Sequence, residues 1–168
     1  AEILPAGSEV VAVEIHPRKA DVLRGEASRR GLGAIRVLCA DASQAIPGVE
    51  PRSFDAVLVD APCAGLGTLR RHPELKLRRG AADVPRLASI QEAILRRALS
   101  WARPGGVVTY SVCSLTRAEG PGLVARLLAG PGARGFAPAP GPGGSVRIDG
   151  WRLLARAARP ARFHGAAR

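Results

Sequence analysis

The sequence has no run of about 18 apolar residues, so it offers no transmembrane helix. Its opening, AEILPAGSEV, lacks a basic stretch followed by a long apolar one, and so shows no secretory signal. Cysteine is scarce and odd in number, three in all, which excludes a disulfide framework. A reducing, cytoplasmic setting is the simplest expectation. Lysine is nearly missing: of 25 Lys and Arg residues only Lys19 and Lys76 are lysine.

What is present suits a folded chain. It has 168 residues, 46% of them hydrophobic, which is too apolar for disorder and about the size of one globular domain. The net charge is +11, with 25 basic residues against 14 acidic ones. Such an excess points to a phosphate-rich partner, because nucleic-acid affinity rests largely on neutralised phosphates. The abundance of Arg, Ala, Gly and Pro also suggests a coding bias towards G and C, so part of the arginine is compositional.

Strand and helix patterns alternate along the chain. Residues 9–15 (EVVAVEI) read as a buried strand, and Pro17 opens a helix to about Arg30, where Gly31 and Gly33 stop it. Residues 35–40 and 54–59 read as the next two strands. A loop spans 61–82. Apolar residues Leu87, Ile90, Ile94, Leu95, Ala98 and Leu99 predict an amphipathic helix over 85–103, broken by Pro104-Gly105-Gly106. Residues 107–112 predict a fourth strand and 117–128 a further helix. Residues 130–144, rich in Gly and Pro, read as loop, 146–155 as a short strand, and the basic tail after that as frayed. The alternation predicts an α/β fold with a mostly parallel sheet and helices on both faces.

Three predicted strands end in a carboxylate: Glu14, Asp41 and Asp60. In open parallel sheets ligands bind beyond the carboxyl ends of the strands, and an acid there commonly takes ribose hydroxyls. Glu14 suits that role, and Asp41, one strand on, suits an adenine amino group. The plainer reading is that each acid caps the helix that follows it. A fold of this kind also needs an earlier strand and a Gly-rich turn. Residues 1–7 look instead like the end of a helix, so the sequence is expected to begin inside a domain, after its first strand.

Two local motifs carry the chemistry. One is DAPCAGLGT, Asp60 to Thr68, followed by RRHPELK, Arg70 to Lys76. The other is YSVCS, Tyr110 to Ser114, with Glu119 downstream. Each cysteine follows a predicted strand, so Cys63 and Cys113 should face one edge of the sheet. Cys39, inside IRVLCA, reads as a small buried hydrophobe.

These motifs resemble those of the Sun/Fmu-type RNA cytosine-5 methyltransferases, a family that includes the bacterial 16S ribosomal RNA enzyme. The resemblance covers about residues 9–128, with a weaker match over 147–157. It implies a Rossmann-like methyltransferase sheet over residues 1–157, followed by a basic tail, 158–168. It implies S-adenosylmethionine (SAM) as cofactor, held by Glu14, Asp41 and Asp60, and no metal. It further implies that Cys113 is the nucleophile, that Cys63 assists product release, and that Asp60 contacts the target cytosine. A thiolate added to C6 would activate C5 towards the methyl group. Positive charge from Arg70, Arg71 or Lys76, with His72 as a further candidate, would favour that thiolate or contact RNA phosphates. The base must leave its stack, so a single-stranded or looped segment of ribosomal RNA is the expected partner. Val112, Leu77 and Gly120 depart from the family pattern, as does Trp151-Arg152, where two aromatics are usual. A non-catalytic RNA-binding fragment with an incomplete SAM site is the competing reading. A DNA cytosine-5 methyltransferase fits less well, because it would not need the second cysteine of YSVCS. An adenine N6 enzyme would want a motif other than Asp60-Ala61-Pro62-Cys63.

Overall fold

A computed structural model describes residues 7–78, 80–139 and 153–157. They fall into two compact units that divide after Pro47, where chain length alone suggested one domain.

In the first unit, β1 (Val10–Glu14) and β2 (Ile35–Cys39) form a parallel pair joined through α1 (Pro17–Arg29). Runs of β-branched residues favour the strands. Pro17 starts α1 because a first-turn residue needs no N–H partner and its fixed φ is already helical. Gly31, at φ 66°, lets the chain turn back towards β2. The register sets Glu14 opposite Cys39, and the Ala40 amide donates to the Glu14 carbonyl at 3.1 Å. Glu14 and Asp41 therefore leave this small sheet at the same edge.

The second unit holds a four-stranded sheet in the order β3-β4-β6-β5. Strand β3 (Phe54–Asp60) pairs in parallel with β4 (Ala102–Ser111). Strand β6 (Leu153–Ala157) runs antiparallel to both β4 and β5 (Phe136–Ala139). The sheet is mixed rather than mostly parallel. A short α2 (Leu75–Arg78) interrupts the expected loop, and α3 (Asp83–Trp101) and α4 (Pro121–Ala129) complete the unit. Among the described residues β1 pairs only with β2 and β3 only with β4, so each keeps one edge without a strand partner.

Helix α3 packs against β3, β4 and α4. Its buried stripe is Leu87, Ala88, Gln91, Leu95, Ala98 and Leu99, whereas Ile90 points outward. A glutamine thus occupies the central rung of an otherwise apolar face. Each fully buried leucine of the stripe contributes about 1.5–3 kcal/mol relative to exposure. Tyr110, Leu123 and Leu127 are the largest fully buried side chains of the described core.

Three sequence expectations change. Pro104-Gly105-Gly106 is not a break: β4 begins at Ala102 and runs through it, with an irregularity opposite Phe54 and Ala56 that absorbs the extra residues. Phe136–Ala139 is a strand rather than loop, because the distant β6 supplies its hydrogen bonds. The last strand falls at Leu153–Ala157, while residues 140–152 lie outside the described residues, as do 1–6 and the tail from 158.

Two glycines test this packing with opposite signs. A Cβ at Gly106 would sit 2.9 Å from the Phe54 carbonyl oxygen, 3.0 Å from that of Arg103 and 3.1 Å from that of Asp55. Gly106→Ala should destabilise the chain by about 1–3 kcal/mol in urea unfolding. A Cβ at Gly25, inside α1, would meet nothing within 4 Å. Gly25→Ala should stabilise by about 0.5–1 kcal/mol in the same assay.

Candidate active site

The parallel register places Asp60 beside Ser111, so both motifs leave the sheet together. The Ala61 amide donates to the Ser111 carbonyl at 3.0 Å and carries the ladder one step further. Beyond it the two loops touch again. The Gly67 amide donates to the Cys113 carbonyl at 2.9 Å, and a Cβ at Gly67 would lie 2.9 Å from that same oxygen. Only glycine allows this approach without displacing the Cys113 backbone. Gly65 turns the chain at φ 72° just before the single 3₁₀ turn Leu66–Thr68.

The result is a pair of sulfurs. Cys63 Sγ and Cys113 Sγ lie 2.9 Å apart, with both cysteines free. Their surroundings differ. Cys113 is exposed, whereas Cys63 is half-buried. Burial, together with the hydrogen bond to Cys113, pushes the Cys63 thiol up to about 12. Cys63 therefore stays protonated at neutral pH and can donate to the sulfur beside it.

Behind the sulfurs lies a buried polar cluster that the sequence reading did not assemble. Glu119, Gln91, Ser114 and Tyr110 are each no more than 1% exposed. Glu119 Oε1 accepts the Ala64 amide at 2.8 Å and Gln91 Nε2 at 3.0 Å. Its Oε2 accepts Ser114 Oγ at 2.5 Å and Thr116 Oγ1 at 3.0 Å. The signal in the sequence was Gln91, a polar residue four positions from both Leu87 and Leu95 on the apolar stripe of α3.

The remaining expected residues are placed as follows. Asp60 ends β3 and is exposed. Arg70, Arg71 and Lys76 are exposed, and none of the ion pairs among the described residues engages them. His72 Nδ1 lies 3.3 Å from Glu74 Oε1, and both side chains are exposed. The partner recorded for the Cys113 sulfur is thus Cys63 and not a cation. In the first unit, Glu14 Oε1 accepts the His16 amide at 2.8 Å, and Asp41 Oδ1 accepts the Ser43 amide at 2.8 Å. The Ser43 amide holds the Asp41 carboxyl below the usual carboxylate range. Glu14 and Asp41 therefore each hold a turn amide with one oxygen but cap no helix: the N-cap of α1 is His16, without a side-chain cap. Cys39 is exposed rather than buried: it ends β2, with its sulfur 3.8 Å from the Ile15 carbonyl oxygen.

The family model described as 16S rRNA methyltransferase RsmB/F matches residues 1–133. The chain belongs to that family. A putative methyltransferase of Mycobacterium tuberculosis is 45% identical over 125 residues, 74% of this chain and 26% of that protein. The ribosomal RNA small subunit methyltransferase B of Thermus thermophilus is 38% identical over 123 residues, 73% of this chain and 30% of its own. This RsmB/F chain thus spans between a quarter and a third of those relatives' length. The crystal structure of NSun6 from Pyrococcus horikoshii with SFG superposes with a TM-score of 0.68 at 22% identity. It covers 90% of this chain and 42% of its own, and shows that the fold is shared. Among the described residues no helix is long and apolar enough to cross a membrane, and no three His, Cys, Asp or Glu side chains group as a metal site.

The unequal sulfurs give a chemical test. Burial and the hydrogen bond to Cys113 keep the Cys63 thiol protonated, and the thiolate is the form that reacts, whereas Cys39 and Cys113 are exposed. Iodoacetamide should therefore alkylate Cys39 and Cys113 well before Cys63, by at least about 100-fold in rate, as read by peptide mass spectrometry. Cys63 labelling should rise steadily between pH 8 and 11.

Proposed function

We propose that this chain is the cysteine-bearing part of a SAM-dependent methyltransferase that acts on C5 of a cytosine in RNA, through a covalent adduct at C6. The observation that carries the reading is the sulfur pair, 2.9 Å apart, with one thiol exposed and the other half-buried and protonated. One thiol alone would suffice for addition. A second, held protonated beside the first, can donate a hydrogen bond that stabilises the departing thiolate and so answers the need for release.

Cys113 adds to C6 of the base and pushes electron density onto C5, which splits one hard step into easier ones. Asp60, exposed at the end of β3, would face the base edge near N3, where charge gathers during addition. SAM supplies the electrophilic methyl group. When the C5 proton passes to a solvent base, the C6–sulfur electron pair leaves on Cys113 as a thiolate, to which the Cys63 S–H, 2.9 Å away sulfur to sulfur, can donate a hydrogen bond. Cys113, as the exposed thiol, meets a base that has been taken out of its stack, so single-stranded or looped ribosomal RNA is the favoured substrate.

The nucleoside end of SAM finds suitable acceptors in the first unit. Glu14 and Asp41 stand at one edge of a parallel strand pair, and each has one oxygen beyond its own turn for a ribose hydroxyl or an adenine amine. Arg70, Arg71 and Lys76 are cations outside any recorded ion pair, which suits phosphate contact.

Two measurements test this reading. In the whole protein, with ribosomal RNA and SAM, Cys113→Ala should lower methylation by at least about 1,000-fold and leave no protein–RNA adduct, as loss of a covalent nucleophile does. Cys63→Ala should slow turnover and accumulate an adduct that survives a denaturing gel. Adduct in Cys113→Ala alone would reverse the roles, and unchanged methylation in both would leave the chain as an RNA-binding fragment. Separately, Arg70→Ala with Arg71→Ala should weaken single-stranded RNA binding and reduce the salt slope by about 1.4, since each phosphate contact on a single strand contributes roughly 0.7. A slope that does not change would make the basic surface compositional.

A further inference from the structure

The mechanism above uses two sulfurs but leaves unexplained what holds them together. The strand ladder ends at Ala61 and Ser111, before either cysteine. From there the loops could diverge. The backbone bond from Gly67 fixes the Cys113 carbonyl, and the Gly65 and Cys113 amides reach the Cys63 sulfur, but none of these holds the peptide groups on either side of Cys63.

Glu119 divides its carboxylate between the two loops. Oε1 holds the amide of Ala64, the residue after Cys63, and Oε2 holds the hydroxyl of Ser114, the residue after Cys113. Gln91 completes the grip on the Cys63 side. Its Nε2 donates both to Glu119 Oε1 and to the Pro62 carbonyl at 2.7 Å, so both peptide neighbours of Cys63 are tied. The amide orientation of Gln91 is determined: flipped, its oxygen would face two acceptors. Its Oε1 lies 3.0 Å from the Tyr110 hydroxyl, which is also 2.8 Å from the Glu119 carbonyl oxygen. Burial and the Glu119 charge raise the Tyr110 phenol far above its ordinary range and keep it a donor. A buried network centred on a carboxylate that accepts four hydrogen bonds fixes geometry more firmly than its separate bonds.

We infer that Glu119 is a positioning residue for both cysteines, one carboxylate oxygen for each loop, and that it sets the sulfur–sulfur distance on which adduct release depends. The inference rests on the reading of Cys63 and Cys113 as the reacting pair, but its geometric core can be measured without any methylation.

The probe is phenylarsine oxide, which forms two As–S bonds to a close pair of thiols with release of one water and no change of oxidation state. Its affinity depends on the effective concentration of one thiol at the other. A Cys39→Ala background removes the third thiol. The parent should bind the arsenical as a chelate. Glu119→Ala should lose at least about tenfold in affinity. Glu119→Gln should stay within about threefold, because its oxygen can keep Ala64 and Gln91 while its NH₂ group turns to the two hydroxyls, which can accept. Ser114→Ala, which removes one anchor and leaves the carboxylate, should give an intermediate loss and decides the matter if Glu119→Ala does not fold. In the whole protein, kcat for methylation should follow the same order while RNA affinity stays unchanged. A parent that does not chelate, or folded Glu119→Ala and Ser114→Ala chains that bind as tightly as the parent, would overturn the inference. Chelation that follows the expected order in a protein without methylation would leave the positioning role standing and remove only the proposed reaction.

Discussion

The parallel pairing of β3 with β4 is the constraint on which the second unit depends. A parallel ladder sends both strands out at one edge, so motifs about fifty residues apart in sequence emerge side by side. Asp60 faces Ser111 in that register, with Cys63 three residues beyond one and Cys113 two beyond the other. A shift of one residue along either strand would turn a cysteine loop away. The irregularity opposite Phe54 and Ala56, and the glycine at 106 that leaves room for three carbonyl oxygens, are the local means by which β4 reaches this register.

The ladder supplies proximity and the buried cluster refines it. A glutamate with no exposure would be costly as an isolated charge. Here four donors surround it, and the desolvation is offset by bonds that also tie two loops. The same burial separates the sulfurs chemically, since Cys63 sits nearer this interior and Cys113 faces outward. Proximity and inequality thus have a common origin in one packed layer between α3 and β4.

Much of this was legible in the sequence. The strands that carry Glu14, Asp60 and Cys113 follow from runs of β-branched residues, and the two cysteine motifs stood out by their Pro and Gly neighbours. What was not legible depended on distant partners. Pro104-Gly105-Gly106 looks like a terminator until β3 is present to pair with it. Phe136–Ala139 looks like loop until β6 arrives. Cys39 follows a hydrophobic pattern, yet its strand has only one neighbour among the described residues and its end is uncovered. Gln91 and Glu119 were visible as residues, but their meeting needed the packing of α3 against β4, which periodicity does not specify.

The turns after β1 and β2 have a consequence for the acids that end them. In each, a backbone amide two residues on holds one carboxylate oxygen. That hydrogen bond restricts the rotamers open to Glu14 and Asp41. A side chain already ordered does not lose its freedom on binding, a saving of about 0.5–1.5 kcal/mol for each. For Asp41 the same amide also favours the ionised form, so the acceptor persists into mildly acidic solution where a freely rotating aspartate would begin to take up a proton. The amide that holds each carboxylate oxygen is thus also what limits the freedom the side chain would lose in any later contact.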